Sequence, residues 1–114
     1  MALASDTRPW GEWHILETAD GYQVKRLVVL PHQRLSYQTH EHRAEHWVVV
    51  RGTATCTLEG ERVVLQVGDS LDIAIGAAHR IANEHDEPVE IIEVQRGSYT
   101  GDDDIVRLED DYGR

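Results

Sequence analysis

Gln38-Thr39-His40-Glu41-His42-Arg43-Ala44-Glu45-His46-Trp47-Val48-Val49-Val50-Arg51-Gly52 is the stretch that decides the fold. A polar run thick with histidine enters a run of valine and stops at Arg51-Gly52. Side chains two apart share a face of a strand. Arg34, Ser36, Gln38 and His40 then line one face before the turn. After it, Glu45, Trp47 and Val49 share a face, while His46, Val48 and Val50 point the other way. A tight antiparallel connection brings Glu45 onto the Gln38/His40 face. Imidazole and carboxylate suit zinc, iron, manganese, cobalt or nickel, and an amide oxygen fills a hard position. Gln38, His40 and Glu45 are therefore candidate ligands of one divalent cation. His42 is an alternative or additional ligand, and parity assigns His46 a structural role.

Outward from this stretch, short apolar runs alternate with turns. Tyr22 to Leu30 ends at Pro31, and Leu35 to His40 precedes the histidine-rich turn. Thr53 to Leu58 meets Val63 to Val67 across Glu59-Gly60-Glu61-Arg62. Leu71 to Ile75, His79 to Asn83 and Val89 to Gln95 follow. Valine and isoleucine dominate, and no stretch keeps a helical period over three turns. Such spacing indicates an all-β sandwich or barrel. Residues 1–14 carry Trp10 and Trp13 and are expected to pack as a flap on the barrel. Residues 101–114, acidic with Arg107 and Arg114, are expected to form a tail over its mouth.

At 114 residues the chain suits one domain with one core. No apolar run approaches the roughly 20 residues of a membrane span. A formal net charge of −10 disfavours nucleic acid and anionic membranes. Lys25 is the single lysine among 11 basic residues, and arginine suits bidentate recognition of phosphate or carboxylate. Cys56 has no partner for an internal disulfide and lies in a strand-like run, which fits a cytoplasmic protein and a packed thiol.

The spacing Gln38-x-His40, Glu45, Gly52 resembles the first cupin motif, with glutamine in place of a frequent histidine. Gly68, Ala74-x-Gly76, His79, Asn83 resembles the second. His32 departs from the first, which usually opens with glycine, and Ala74 from the second, which usually has proline there. The resemblance implies a small cupin barrel, a double-stranded β-helix, and adds the distant His79 to the ligand set. Arg8-Pro9-Trp10-Gly11, His42-Arg43-Ala44-Glu45-His46-Trp47, Glu93-Val94-Gln95-x-Gly97 and Asp104-Ile105-Val106-Arg107 resemble the type II phosphomannose isomerase domain. That domain closes bifunctional guanylyltransferase/isomerases. The sequence has no Gly-rich phosphate loop, so guanylyl transfer is not expected of it.

The resemblance implies interconversion of mannose 6-phosphate and fructose 6-phosphate with one divalent metal, zinc first, in a homodimer. It marks Arg43, Glu45, Glu93, Arg107 and Arg114 as important. Glu93 lies in an apolar run, Ile91-Ile92-Glu93-Val94, where burial raises a carboxyl pKa, so it is the expected base. Lys25 and Glu41 are its reserves. Arg107 and Arg114, with Arg43 behind them, are expected at the phosphate, and Arg34 is expected to face the cavity. The alternatives are a non-catalytic module that binds a sugar or sugar phosphate, and other metal chemistry such as oxygenation.

Overall fold

The computed structural model describes residues 2–113, so Arg114 lies outside the described residues. Eleven strands run in chain order: β1 Ala4–Arg8, β2 Gly11–Ala19, β3 Tyr22–Val29, β4 Tyr37–Thr39, β5 Arg43–Arg51, β6 Ala54–Leu58, β7 Glu61–Leu65, β8 Ser70–Ile73, β9 His79–Ala82, β10 Val89–Gly97 and β11 Val106–Glu109. No helix is present among the described residues. The strands form two sheets, ordered β1-β2-β3-β10-β5-β8 and β11-β4-β9-β6-β7. Every pairing is antiparallel, as the all-β reading required.

Alternation sets the inside. Gln23, Lys25, Leu27 and Val29 of β3 are buried, as are Val89, Ile91, Glu93 and Gln95 of β10. Arg43, Glu45, Trp47 and Val49 of β5 follow the same rule. Register aligns these rows. Val29 faces Val89 and Leu27 faces Ile91, whereas Lys25 faces Glu93 and Gln23 faces Gln95. Across β10, Ile91 pairs with Val49, and Gln95 with Glu45. The interior thus has an apolar end, joined by Leu35, Ala54, Cys56, Leu65, Ile73 and Ile81, and a polar end. Each large side chain buried at the apolar end contributes about 1.5–3 kcal/mol. Those contributions offset the cost of holding charged groups at the other end.

Turn chemistry fits the connections. Glu59 and Gly60 both have positive φ, 49° and 78°, in the tight β6–β7 hairpin. That conformation suits the right-handed twist of the strands. His32 adopts φ 61°, the left-handed conformation that a glycine would supply at this turn. At Gly97 an added Cβ would lie 2.0 Å from the His42 carbonyl oxygen. Glycine there lets the end of β10 close on the start of β5 and so places Arg43.

Two expectations change. Residues 4–14 form no laid-on flap. They make β1 and the first half of β2, two further strands of the larger sheet. Beyond Gly101, the chain crosses the mouth and then pairs as β11 with β4.

Candidate functional site

Gln38 and His79 sit directly opposite each other on β4 and β9, so their side chains share the inward face. His40 leaves the end of β4, and Glu45 enters from β5 after a turn of Glu41 and His42. His40, Glu45 and His79 are buried and bring one ligand atom each within 4.8 Å of the others. His40 Nε2 lies 3.2 Å from His79 Nε2 and 3.2 Å from Glu45 Oε2. Glu45 Oε1 is 3.8 Å from His79 Nε2.

The outer nitrogens decide what these rings present. His40 Nδ1 donates to the Asp104 carbonyl at 2.6 Å, and His79 Nδ1 donates to the Ala77 carbonyl at 2.9 Å. Both rings therefore turn Nε2 toward the same point, where a cation can take their lone pairs. Burial, ahead of the neighbouring charges, pushes the His79 pKa down and keeps that ring neutral. Burial opposes ionisation of Glu45. Hydrogen bonding with His40 and then the charge of Arg43 outweigh it and hold the carboxyl well below its usual range. Two converging lone pairs and an ionised carboxylate are the donor set of a divalent cation. Tetrahedral zinc with bonds of about 2.0–2.2 Å separates its ligand atoms by about 3.3–3.5 Å, near the spacings seen here. Gln38, half-buried on the same wall, is placed to add an amide oxygen. Among the described residues its Oε1 accepts only a long bond from Ser36 Oγ, at 3.4 Å.

Arg43 is buried beside this group. Its Nε donates to Glu45 Oε2 at 2.8 Å, and its Nη2 lies 3.2 Å from His40 Nε2. Trp47 Nε1 donates to Glu45 Oε1 at 2.9 Å. The carboxylate is thereby oriented from both sides while keeping spare lone pairs.

A cavity of about 120 Å³ opens above the cluster, walled by Gln38, Arg43, Glu45, His79, Glu93 and Arg107 among others. Glu93 is buried on β10, and its Oε1 accepts a 2.5 Å bond from Gln95 Nε2. Burial first, then the Glu45 charge, pushes its pKa up to about 7 against the pull of Arg43, Lys25 and Gln95. Arg107 is exposed, lines the cavity and makes no side-chain ion pair among the described residues.

Other expected residues fall elsewhere. His42 is exposed, bonds Asp104 and stands away from the cluster, so it does not join His40 and His79. His46 points outward to Asp72, as parity required. Arg34 does not face the cavity. It makes two bonds to Asp111, because the backbone of Leu35 and Ser36 is not a regular strand and parity breaks there. Glu41 is exposed and its N–H bonds Asp104, which removes it from the reserve bases. Cys56 is fully buried, and burial pushes its thiol up to about 12, an inert packed group.

Sequence reasoning missed three contributors. Asp104 ties the turn to the tail, accepting from the N–H groups of Glu41 and His42 and from His40 through its carbonyl. Gln95 holds Glu93, and Trp13 lines the cavity from the strand expected to be a flap. Gln95 carried a signal, since it shares parity with Ile91 and Glu93.

Comparison with known proteins agrees with this geometry. Residues 3–110 match the family described as Mannose-6-phosphate isomerase C-terminal. Over 107 residues, 94% of the chain, it is 50% identical to mannose-1-phosphate guanylyltransferase ManC of Salmonella typhimurium and covers 22% of that protein. It is 51% identical to alginate biosynthesis protein AlgA of Pseudomonas aeruginosa, with the same coverage of 94% and 22%. The chain thus spans about a fifth of the length of these relatives. Among solved structures, the capsular polysaccharide assembling protein CapF from Staphylococcus aureus superposes with TM-score 0.77 at 21% identity, over 93% of this chain and 34% of that one. A Klebsiella pneumoniae protein with a double-stranded beta-helix domain gives 0.74 at 22%, over 84% and 82%. These likenesses establish the cupin fold, and the sequence match extends through both sheets and the His40, Glu45 and His79 cluster. The chain belongs to the mannose-6-phosphate isomerase C-terminal family.

Proposed function

We propose that this domain interconverts mannose 6-phosphate and fructose 6-phosphate, with a divalent metal, zinc first, held by Gln38, His40, Glu45 and His79. The observation that carries the reading is the pairing of two environments in one cavity. A convergent His40/Glu45/His79 donor set lies beside Glu93, a buried carboxyl whose pKa sits near neutrality. When bound, the metal supplies Lewis-acid stabilisation of oxygen charge developing on the substrate.

The chain's own groups do the rest. Glu93 takes the proton from C2 of the open-chain aldose and returns it to C1, while the O2 hydroxyl proton passes to O1 through the enediol-like state, which converts aldose to ketose. A carboxyl with a pKa of about 7 exists in both forms at neutral pH, so it serves as base and then as acid. Gln95 fixes Oε1, and no hydrogen bond occupies Oε2 among the described residues. Arg43 and Trp47 hold Glu45 in place. Arg107, without an ion pair among the described residues, stands at the cavity wall and is available to a substrate oxygen. The tail that carries it is tied to the ligand turn through Asp104.

A coupled assay with mannose 6-phosphate tests the reading. Turnover should require an added divalent ion, and Glu93→Gln should lower kcat by at least about 100-fold, the scale of general-base catalysis. Metal content of the untagged protein should fall in His79→Ala. No turnover with zinc, manganese, cobalt or nickel would overturn the isomerase and leave a sugar-phosphate-binding module. Full kcat in Glu93→Gln would remove Glu93 as the base.

A further inference from the structure

Lys25, the single lysine, is buried in the cavity wall with its side chain 9% exposed. A buried ammonium requires a partner. Its partner is Asp102, at 2.8 Å, a carboxylate 56% exposed on the stretch that crosses the mouth. The Lys25 ammonium also lies 5.1 Å from the Trp13 ring centroid, and the Arg8 guanidinium lies 5.5 Å from the same ring. Arg8 in turn is paired with exposed Asp6. Two cations are thus gathered around one indole on the cavity wall, and each is neutralised by an aspartate from an exposed segment. Lys25, Arg8, Trp13 and Asp102 all line the cavity that holds Glu93.

We propose that Lys25 and Arg8, gathered at Trp13, form the subsite for the phosphate group of the substrate, and that Asp102 is the built-in anion a phosphate displaces. The proposal rests on the isomerase reading for its ligand. Lys25 reaches Trp13 from β3 and Arg8 reaches it from β1, and a phosphate dianion carries more charge than the single aspartate that each cation now holds. Strand order supplies the spacing. Glu93 is on β10 and Trp13 on β2, with β3 between them. Glu93 faces Lys25, and Trp13 faces Leu27 two residues further along β3, so Glu93 and Trp13 are about 12 Å apart at the backbone, with the Lys25 side chain between them to hold a phosphate whose sugar carbons reach Glu93. The ion pair to Asp102 also aims the ammonium at the mouth before a ligand arrives.

Calorimetric titration of the full, metal-loaded chain with inorganic phosphate, mannose 6-phosphate and mannose tests the subsite. Lys25→Met should weaken both phosphorylated ligands by roughly 10-fold or more, the scale of a lost charge-assisted hydrogen bond, and leave mannose unchanged. Lys25→Arg should retain most of the affinity. Asp102→Asn, a mild change on an exposed segment, should tighten inorganic phosphate several-fold. The proposal is overturned if the wild type does not bind phosphate. It is also overturned if Asp102→Asn leaves phosphate affinity unchanged, or if Lys25→Met weakens mannose and mannose 6-phosphate alike. Failure of the two readings is separable. Phosphate binding that depends on Lys25 without turnover keeps the subsite and removes the isomerase. Turnover with an unchanged KM in Lys25→Met does the reverse.

Discussion

Glu93 is buried between Trp47 on β5 and Lys25 on β3, its register partners. Its ordinary pKa is 4.5 and burial, then the Glu45 charge, raises it to about 7. Below pH 4.5 the carboxyl is protonated in folded and unfolded chains alike and contributes no pH dependence. Between those values the unfolded chain releases the proton first, so stability falls as pH rises. The full loss, about 3 kcal/mol, is reached above the folded pKa. Glu93→Gln removes the titration. Urea unfolding in chelator should therefore show the variant more stable than wild type by up to about 3 kcal/mol at pH 8 and unchanged at pH 4. An equal difference at both pH values would contradict the assignment. Much of this site was legible at the residue scale, because strict alternation along β5 and β10 put Glu45 and Glu93 inside. The same alternation in Tyr22 to Leu30 aligned Lys25 with Leu27 and Val29, a signal outweighed by its charge. Arg34 was misread because alternation holds only while the backbone stays a strand. Ser36 and Leu35 both line the cavity, which a regular strand does not permit.

Between residue and barrel, β11 shows how a polar segment becomes a strand. Its residues are all exposed and it pairs only with β4, at the sheet edge. Arginines from neighbouring elements hold this tail. Arg80, buried on β9, donates to the Leu35 carbonyl at 2.9 Å and to Glu109 Oε1 at 3.0 Å. Arg34 grips Asp111 with bonds of 2.7 and 2.8 Å. Arg80→Met removes a buried charge-assisted anchor worth about 1.5 kcal/mol or more. Hydrogen exchange at the Val106–Glu109 amides should then speed up roughly 10-fold, with β10 amides unchanged. A uniform rise across both strands would mean global loosening instead of a released tail. Such an anchor could not be read from sequence, since it joins acidic residues near the C-terminus to arginines about 30 and 80 positions earlier. The β1–β2 hairpin escaped for a related reason. Asp6, Thr7, Glu12, Glu17 and Thr18 give it no apolar alternation, and its place in the larger sheet comes from pairing with β3.

At the scale of the molecule, the barrel is divided along its length. Valine, isoleucine and leucine close one end, and the charged cluster and cavity occupy the other. The all-β class and most strand positions were legible because the apolar end imposes alternation on every central strand. At the polar end, His79 was legible only through the cupin spacing, since no local pattern ties it to His40. The division also predicts how the fold responds to metal. His40 Nε2 and His79 Nε2 lie 3.2 Å apart and face the same point, so a cation bound there ties the end of β4 to β9. Binding to the folded chain alone adds RT ln(1 + [L]/Kd), about 2.7 kcal/mol at 100 times Kd. For a domain of 114 residues that is a rise in Tm on the order of 10 °C. Zinc added to chelator-treated wild type should give such a rise. His79→Ala, which removes one donor, should lose most of it. An equal rise in both would place the ion elsewhere, whatever the assay for turnover shows.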